Sequence, residues 1–344
     1  MKIKHLLGYS VFHFLVDLSC IYFMMSDVVR YAGSGERWLL LAVIYNFMAF
    51  ALPALLGLIS DMVQKNDLLA AIGCILVAMG YMLSVSLSAS VVLIGIGNGL
   101  FHIGGGRQIL NESDKRYAPS GIFISTGAMG VWLGSLWGKT GYNLKTLFGG
   151  CMLLCAVALL FMYNHWKDIL KEKKSTVFEG VKPDFAAFAL ALLIVVVIRS
   201  HYGAILNYSW KNPVWMSCIF TCMIVGGKFA GGLIADKIGI KKATMISLGM
   251  AGALVWFSFE LPICGCLSIF FFNMTMPLTL SLMAELFPQN PGFAFGLLMF
   301  ALFIGTLPTL VGDWNFLFSK QGLFGLCLIS LVLMQWEIHM KGKS

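Results

Sequence analysis

Apolar runs long enough to cross a bilayer recur along the chain, and short polar breaks separate them. About twenty apolar residues in an α-helix span the ~30 Å hydrocarbon core of a membrane. The pattern predicts an all-α polytopic membrane protein with twelve transmembrane helices in two pseudo-symmetric six-helix bundles. The predicted helices cover 6–29, 38–60, 68–86, 89–110, 119–138, 146–165, 185–206, 213–235, 242–259, 261–286, 292–312 and 317–338.

The longest polar break is KDILKEKKSTVFEGVKPD, residues 167–184. It is rich in lysine, which is typical of a solvated linker or of a short helix lying at the lipid surface. We therefore predict an N-terminal six-helix bundle over 1–166, a cytoplasmic linker over 167–184 and a C-terminal six-helix bundle over 185–344.

The composition supports the same class of protein. Of the 344 residues, 59% are hydrophobic and only 12% are charged, whereas about 25% of the residues in a soluble domain are charged. The nine cysteines lie within or at the ends of apolar runs and lack the companion histidines of a zinc motif, so we interpret them as small packing residues.

The formal net charge of +8 is distributed in a way that predicts the orientation of the chain. If both termini face the cytoplasm, sixteen lysines and arginines fall on the inner side and six on the outer side. This positive-inside bias predicts cytoplasmic termini, and we expect the bacterial inner (plasma) membrane as the location. No basic surface interleaved with aromatic residues favours nucleic acid as a partner.

Two loops repeat one another. GLISDMVQKNDLL covers residues 57–69, and GLIADKIGIKKATM covers residues 232–245. Their aspartates, Asp61 and Asp236, lie 175 positions apart, which is about half of the chain. Duplication of a six-helix unit explains this spacing, and such duplication is typical of transporters rather than of channels or enzymes.

The repeated loops resemble the loop signature of the major facilitator superfamily, Gly-x-Leu-x-Asp-Arg/Lys-x-Gly-Arg/Lys. The second copy matches at Gly232, Ile234, Asp236, Lys237, Gly239 and Lys241, and the first at Gly57, Ile59, Asp61 and Lys65. Met62 and Gln64 replace the basic residue and the second glycine of the first copy. The resemblance implies that both loops gate the cytoplasmic side. An aspartate there could bind a neighbouring helix N-terminus or an arginine.

Three further stretches, residues 97–138, 198–206 and 284–298, look like those of fosmidomycin-resistance-type exporters within that superfamily. Ile103 stands where those relatives commonly have proline, and Gly134 lacks their following Gly-Pro. The resemblance implies transport of a small organic compound by a monomer in the bilayer.

Glycines recur along the fifth predicted helix with two consecutive G-x-x-x-G spacings. The stripe consists of Gly127, Gly130, Gly134 and Gly138. Such spacing lets a neighbouring helix cross closely. In the resembled superfamily the equivalent glycines belong to an exporter motif, so the stripe indicates either efflux or packing alone.

Polar and ionisable residues inside the predicted spans are the candidates for substrate or proton binding. A charged group at the bilayer centre costs on the order of 2.5–3.5 kcal/mol on insertion scales, so it usually faces a cavity or a partner. His13 and Asp17 are four residues apart and share one face of the first helix. The full set is His13, Asp17, Asn98, His102, Arg199, His201, Lys228 and Asn273.

The first and seventh helices are equivalent members of the repeat, and the resemblance implies that both line the central cavity, so we expect Asp17 to face Arg199 across that cavity. Because arginine keeps its charge, Asp17 or His13 would be the group that takes a proton during transport. The alternative is a static ion pair that fixes packing. His102 could release protons or simply bond a backbone carbonyl, and Lys228 could simply extend toward the cytoplasm.

His13, Asp17 and His201 could instead form a divalent metal site. No cluster of cysteines and histidines at ligand spacing supports that reading, so we predict no metal and no cofactor other than a coupling proton.

The sequence therefore predicts a secondary active transporter that exports a small organic compound by alternating access, coupled to protons. The first alternative is an uptake carrier or facilitator for a polar or anionic metabolite, with Arg199 and Lys228 binding an anionic group. The second is a transporter-like receptor that moves nothing. No nucleophile–base pair suggests an enzyme.

Overall fold

The computed structural model describes residues 3–33, 35–82, 86–166, 185–312 and 315–341. The twelve predicted helices are all present, which confirms the all-α class. Nine helices of the described ranges are long and apolar enough to cross a membrane. The helices are α1 (Ile3–Ala32), α2 (Glu36–Val63), α3 (Asn66–Met82), α4 (Leu87–Glu112), α5 (Ala118–Gly138), α6 (Lys145–Trp166), α7 (Phe185–Ile205), α8 (Val214–Ile238), α9 (Ile240–Val255), α10 (Pro262–Leu286), α11 (Pro291–Val311) and α12 (Lys320–Lys341).

Helices α1 and α2 each contain one wide turn of π-helix, Met24–Val28 in α1 and Phe47–Ala51 in α2. In α2 the N–H of Leu52 donates to the carbonyl of Phe47 at 2.9 Å. Pro53 follows at once, and because proline has no N–H, the regular pattern of bonds cannot pass through it. The extra residue in the turn lets the helix continue past the proline.

The α10 span is broken at Met274, where the sequence predicts one continuous helix over 261–286. Pro277 lacks the N–H that would bond to the carbonyl of Asn273 four residues earlier. The N–H of Met274 donates to the carbonyl of Phe271, three residues earlier, at 3.2 Å, so the helix tightens at this turn. The break divides α10 into halves of twelve residues each.

The chain divides into two compact units. Unit one comprises Met1–Glu112, Thr126–Gly180 and Phe287–Phe300, and unit two comprises Ser113–Ser125, Val181–Leu286 and Ala301–Ser344. Each unit thus combines one sequence half with a short segment of the other half. The predicted bundle boundaries stay a prediction, and the predicted linker over 167–184 lies outside the described residues.

Within unit one, α5 turns its glycines toward α1. A Cβ added at Gly130 would collide with the backbone of Phe14 and Leu18, and one at Gly134 would collide with the carbonyl of Leu18. A Cβ at Gly138 would meet Met25. The absence of side chains is therefore what lets these two helices lie against each other.

We predict opposite effects of two glycine-to-alanine changes. Gly130→Ala should lower the stability by about 1–3 kcal/mol, because the new methyl group meets backbone that cannot move aside. Gly150→Ala in α6 is the matched control, since nothing lies within 4 Å of its added Cβ, and helix propensity should make this variant as stable as the wild type or more so. Thermal unfolding in detergent checks both, and equal melting temperatures for the two variants would contradict the packing.

Candidate functional site

Three ionisable side chains meet in the interior of unit one. The Nε2 atoms of His13 and His102 are 2.9 Å apart, and both imidazole rings are buried. The carboxylate of Asp17 lies 3.2 Å from His13 Nε2 and 3.5 Å from His102 Nε2. His13 and Asp17 come from one face of α1, and His102 comes from α4. We call these three residues the His–Asp–His cluster.

The hydrogen bonds of His102 fix where its proton sits. Its Nδ1 lies 2.9 Å from the carbonyl oxygen of Asn98, and a carbonyl only accepts, so Nδ1 must carry the hydrogen. In neutral His102 the Nε2 lone pair therefore faces His13 and Asp17. The hydrogen between the two rings must then come from His13 Nε2. With Asp17 ionised, the cluster carries one negative charge and has room for one more proton.

Asn98 extends the polar site along α4. Its Nδ2 donates to the Tyr45 hydroxyl of α2 at 2.7 Å. Its Oδ1 is buried and has no hydrogen-bond partner among the described residues. A buried acceptor without a partner costs about 1–3 kcal/mol, so this atom is a place where a ligand or a water could bind.

Gly127 of α5 borders the cluster. A Cβ at this position would collide with Oδ2 of Asp17 and with Nε2 of His13. The first glycine of the predicted stripe thus keeps a side chain away from the ionisable atoms, whereas Gly130, Gly134 and Gly138 meet α1 farther along.

The same three residues are those that could hold a metal ion. Their ligand atoms all lie within 4.8 Å of one another, and imidazole with carboxylate suits divalent transition metals. The sequence-based alternative combined His13 and Asp17 with His201, but the histidine that joins them in unit one is His102. The absence of a resident metal stays a prediction.

Four predicted residues lie in unit two, namely Arg199, His201, Lys228 and Asn273. Arg199 of α7 donates from Nη1 to the Thr279 hydroxyl at 2.9 Å. Asn273 donates to the carbonyl of Ile269 in its own helix at 2.9 Å. Lys228 is half-buried in α8, and His201 is buried in α7. The pairing of Asp17 with Arg199 joins residues of different units and stays a prediction.

The first repeated loop places Asp61 at a helix N-terminus. Its carboxylate accepts hydrogen bonds from the backbone N–H groups of Gly292 and Phe293 at 2.9 and 2.8 Å, in the first turn of α11. Arg107 of α4 donates to the same carboxylate from Nε at 2.8 Å. Both side chains are buried. A Cβ at Gly57 would meet the backbone of Gly292, so this glycine allows the close approach.

The second loop repeats the arrangement within unit two. The exposed carboxylate of Asp236 accepts from the N–H groups of Tyr117 and Ala118 at 2.8 and 3.0 Å, where α5 begins. Gly232 meets the same segment, and Gly239 has a φ of +84°, a left-handed conformation suited to glycine. Burial, and then the charge of Asp236, raises the pKa of Tyr117. Lys237 and Lys241 are exposed.

A second buried carboxylate of α1 is already paired. Asp27 in the π-helical turn lies 2.5 Å from the Nζ atom of Lys145. The pair borders a cavity of about 530 Å³ that Tyr31, Arg37 and Ser90 also line. Lys145 therefore neutralises Asp27, whereas the carboxylate of Asp17 has the imidazoles of His13 and His102 beside it.

Sequence reasoning missed several partners of the site residues. Tyr45 and Thr279 lie in apolar runs, where a hydroxyl group gives little signal by itself. A tyrosine at membrane depth usually needs a hydrogen-bond partner, and that rule could have drawn attention to Tyr45. Arg107 counted only as one of the inner-side cations, although it neutralises Asp61 in the interior.

We predict unequal effects of removing the two repeated aspartates. Asp61→Ala should cost about 3–5 kcal/mol, because it leaves Arg107 buried without its carboxylate. Asp236→Ala should cost about 1 kcal/mol, since an exposed helix-capping interaction is lost. Thermal unfolding of both variants in the same detergent checks the ranking, and a larger loss for Asp236→Ala would contradict it.

No family model matches the chain, and no curated protein matches it in sequence. Solved structures do match it in fold. The E. coli fucose:proton symporter has a TM-score of 0.67 at 12% identity, covering 98% of each chain. The human organic anion transporter MFSD10 has a TM-score of 0.67 at 15% identity, over 97% of this chain and 100% of its own.

A third similar structure is a bacterial homologue of the iron transporter ferroportin, in the outward-facing state. It has a TM-score of 0.66 at 14% identity, over 97% of this chain and 96% of its own. The fucose symporter is described as a major facilitator superfamily transporter, and all three structures are transporters rather than enzymes. The chain therefore has the fold of major facilitator superfamily transporters over nearly its whole length.

Proposed function

We propose that the chain is a secondary active transporter that moves a small organic compound across the membrane by alternating access. The His–Asp–His cluster is the observation that carries this proposal. Ionisable groups inside membrane spans are costly and usually belong to substrate or proton pathways. The transporter fold supplies the two-unit architecture that alternating access requires.

Proton coupling is the second part of the proposal. Without an added proton, His13 Nε2 donates to the lone pair of His102, and Asp17 carries the negative charge. When a proton binds to His102 Nε2, both histidines can donate to the two oxygens of Asp17, which face them at 3.2 and 3.5 Å. The proton neutralises the cluster. The hydrogen bonds between α1 and α4 would therefore differ between the protonated and the unprotonated cluster.

We further propose that transport is outward, from the inner membrane of a bacterial cell with both termini in the cytoplasm. The resemblance of residues 97–138 to fosmidomycin-resistance-type exporters supports efflux, as does the glycine stripe of α5. The loops at Asp61 and Asp236 would gate the cytoplasmic side, because each holds a helix N-terminus that must move if that side opens.

We predict that Asp17→Asn abolishes substrate-driven proton movement. The amide cannot carry the negative charge that draws a proton to His102, so internal pH change should fall to that of empty liposomes. The measurement uses proteoliposomes with an internal pH dye and compounds selected by thermal shift. Glu36→Gln, an exposed acid at the start of α2, is the matched control and should behave as wild type.

The same assay separates the alternatives. Equal pH changes in wild type and Asp17→Asn would contradict the assigned proton site. A pH change whose sign indicates that protons and substrate move together would favour an uptake carrier over an exporter. Ligand binding without flux would favour a receptor, and metal retained by the wild type but lost by Asp17→Asn would assign the cluster to a metal instead.

A further inference from the structure

Arg199 is a buried cation inside the α7 span. The residue is 7% exposed, and it lies six residues before the helix ends at Ile205. Arginine keeps its charge at every physiological pH and offers five N–H donors. A group of this kind is stable within a membrane bundle only if something compensates its charge.

The one hydrogen bond described for Arg199 goes to a neutral partner. Its Nη1 donates to the Thr279 hydroxyl at 2.9 Å, and Thr279 passes its own hydrogen to the carbonyl of Met276 at 3.0 Å. The hydroxyl is therefore satisfied but brings no negative charge. Most of the guanidinium fork remains available for a further acceptor.

Within the described part of unit two, no carboxylate forms an ion pair with Arg199, and neither oxygen of the buried Glu337 in α12 has a hydrogen-bond partner there. Asp236 holds the first turn of α5, and Glu260 pairs with Lys320 at 2.6 Å. No ion pair joins Arg199 to any acidic residue within the described part of this unit. The contrast with Arg107 of unit one is direct, because Arg107 lies 2.8 Å from the carboxylate of Asp61.

The backbone of α10, the helix that Arg199 contacts through Thr279, is irregular close to that contact. Thr279 lies one turn after the break in α10, and that break leaves the carbonyl of Asn273 without its normal helical donor, because Pro277 has no N–H. Irregular backbone within a membrane is tolerated beside protein or beside a polar cavity. The break and the buried guanidinium thus mark one polar region inside unit two.

We propose that Arg199 binds an oxyanionic group of the transported compound, a carboxylate or a phosphate ester. The planar guanidinium fork matches the two oxygens of such a group in a bidentate pair, which a neutral substrate could not provide. Thr279 orients the fork through Nη1. This inference rests on the proposed transport function and adds the chemical class of the substrate to it.

The first test needs no knowledge of the substrate. In the ligand-free protein, Arg199→Met removes a buried charge that lacks a carboxylate partner, so its melting temperature should rise by about 2 °C or more. Lys320→Met, which removes a half-buried cation from its pair with the exposed Glu260, is the matched control and should leave the melting temperature nearly unchanged.

A fall in the melting temperature of Arg199→Met would overturn the proposal. It would mean that Arg199 already has a carboxylate partner in the resting protein, as the sequence-based pairing with Asp17 predicts, because breaking a buried pair destabilises. The double variant with Asp17→Asn would then recover stability, which would identify that partner.

The second test measures the oxyanion directly. Small organic acids and phosphate esters are compared with their neutral counterparts, for instance benzoate with benzamide and phenyl phosphate with phenol, by thermal shift on the purified full chain. Oxyanions should stabilise the wild type more than their neutral counterparts do. Arg199→Gln should remove that difference, and Arg199→Lys should restore only part of it, because it keeps the charge and loses the fork.

The outcomes separate this inference from the transport proposal. If no oxyanion stabilises the wild type more than its counterpart, or if Arg199→Gln keeps the difference, the anion site is wrong. Proton-coupled flux of neutral compounds in the liposome assay would then leave the transport proposal standing. Oxyanion binding that depends on Arg199 without any flux would support the site and contradict transport.

Discussion

A charge inside a bundle of membrane helices needs a compensating partner, and this constraint organises the interior of the protein. Arg107 and Asp61 neutralise each other in a pair that also holds the first turn of α11. The carboxylate of Asp17 has the imidazoles of two histidines beside it. Arg199 donates a hydrogen bond to the neutral hydroxyl group of Thr279. The first arrangement is a direct ion pair, and we propose that the other two respond to what binds.

The two repeated loops show how one constraint survives sequence change. The first copy lacks the adjacent basic residue and the second glycine, yet Asp61 binds a helix N-terminus as Asp236 does. Arg107, from a different helix, supplies the positive charge there. Asp61, in the first copy, is buried, whereas Asp236 is exposed. The charge of Asp61 therefore needs the nearby cation Arg107 more than the charge of Asp236 needs one.

Sequence reasoning found most members of the site because their signal is local. His13 and Asp17 stand out as ionisable groups four residues apart in an apolar run, and helical geometry places them on one face. The third member has no local signal, because nothing in the neighbouring sequence says whether His102 or His201 approaches α1. The sequence did not predict the break in α10, because the residues on both sides of Pro277 are apolar and hydropathy alone indicates one continuous helix.

The sequence by itself determined the twelve helices, because hydropathy and helical period act over short stretches of chain, and for the same reason it placed Asp17 and Arg199 inside apolar spans. Only the tertiary structure decided how those charges are compensated. His102 lies 89 positions from His13, and Gly292 lies 231 positions from Asp61. Contacts across such separations depend on which helices become neighbours, and packing of the whole bundle sets that choice.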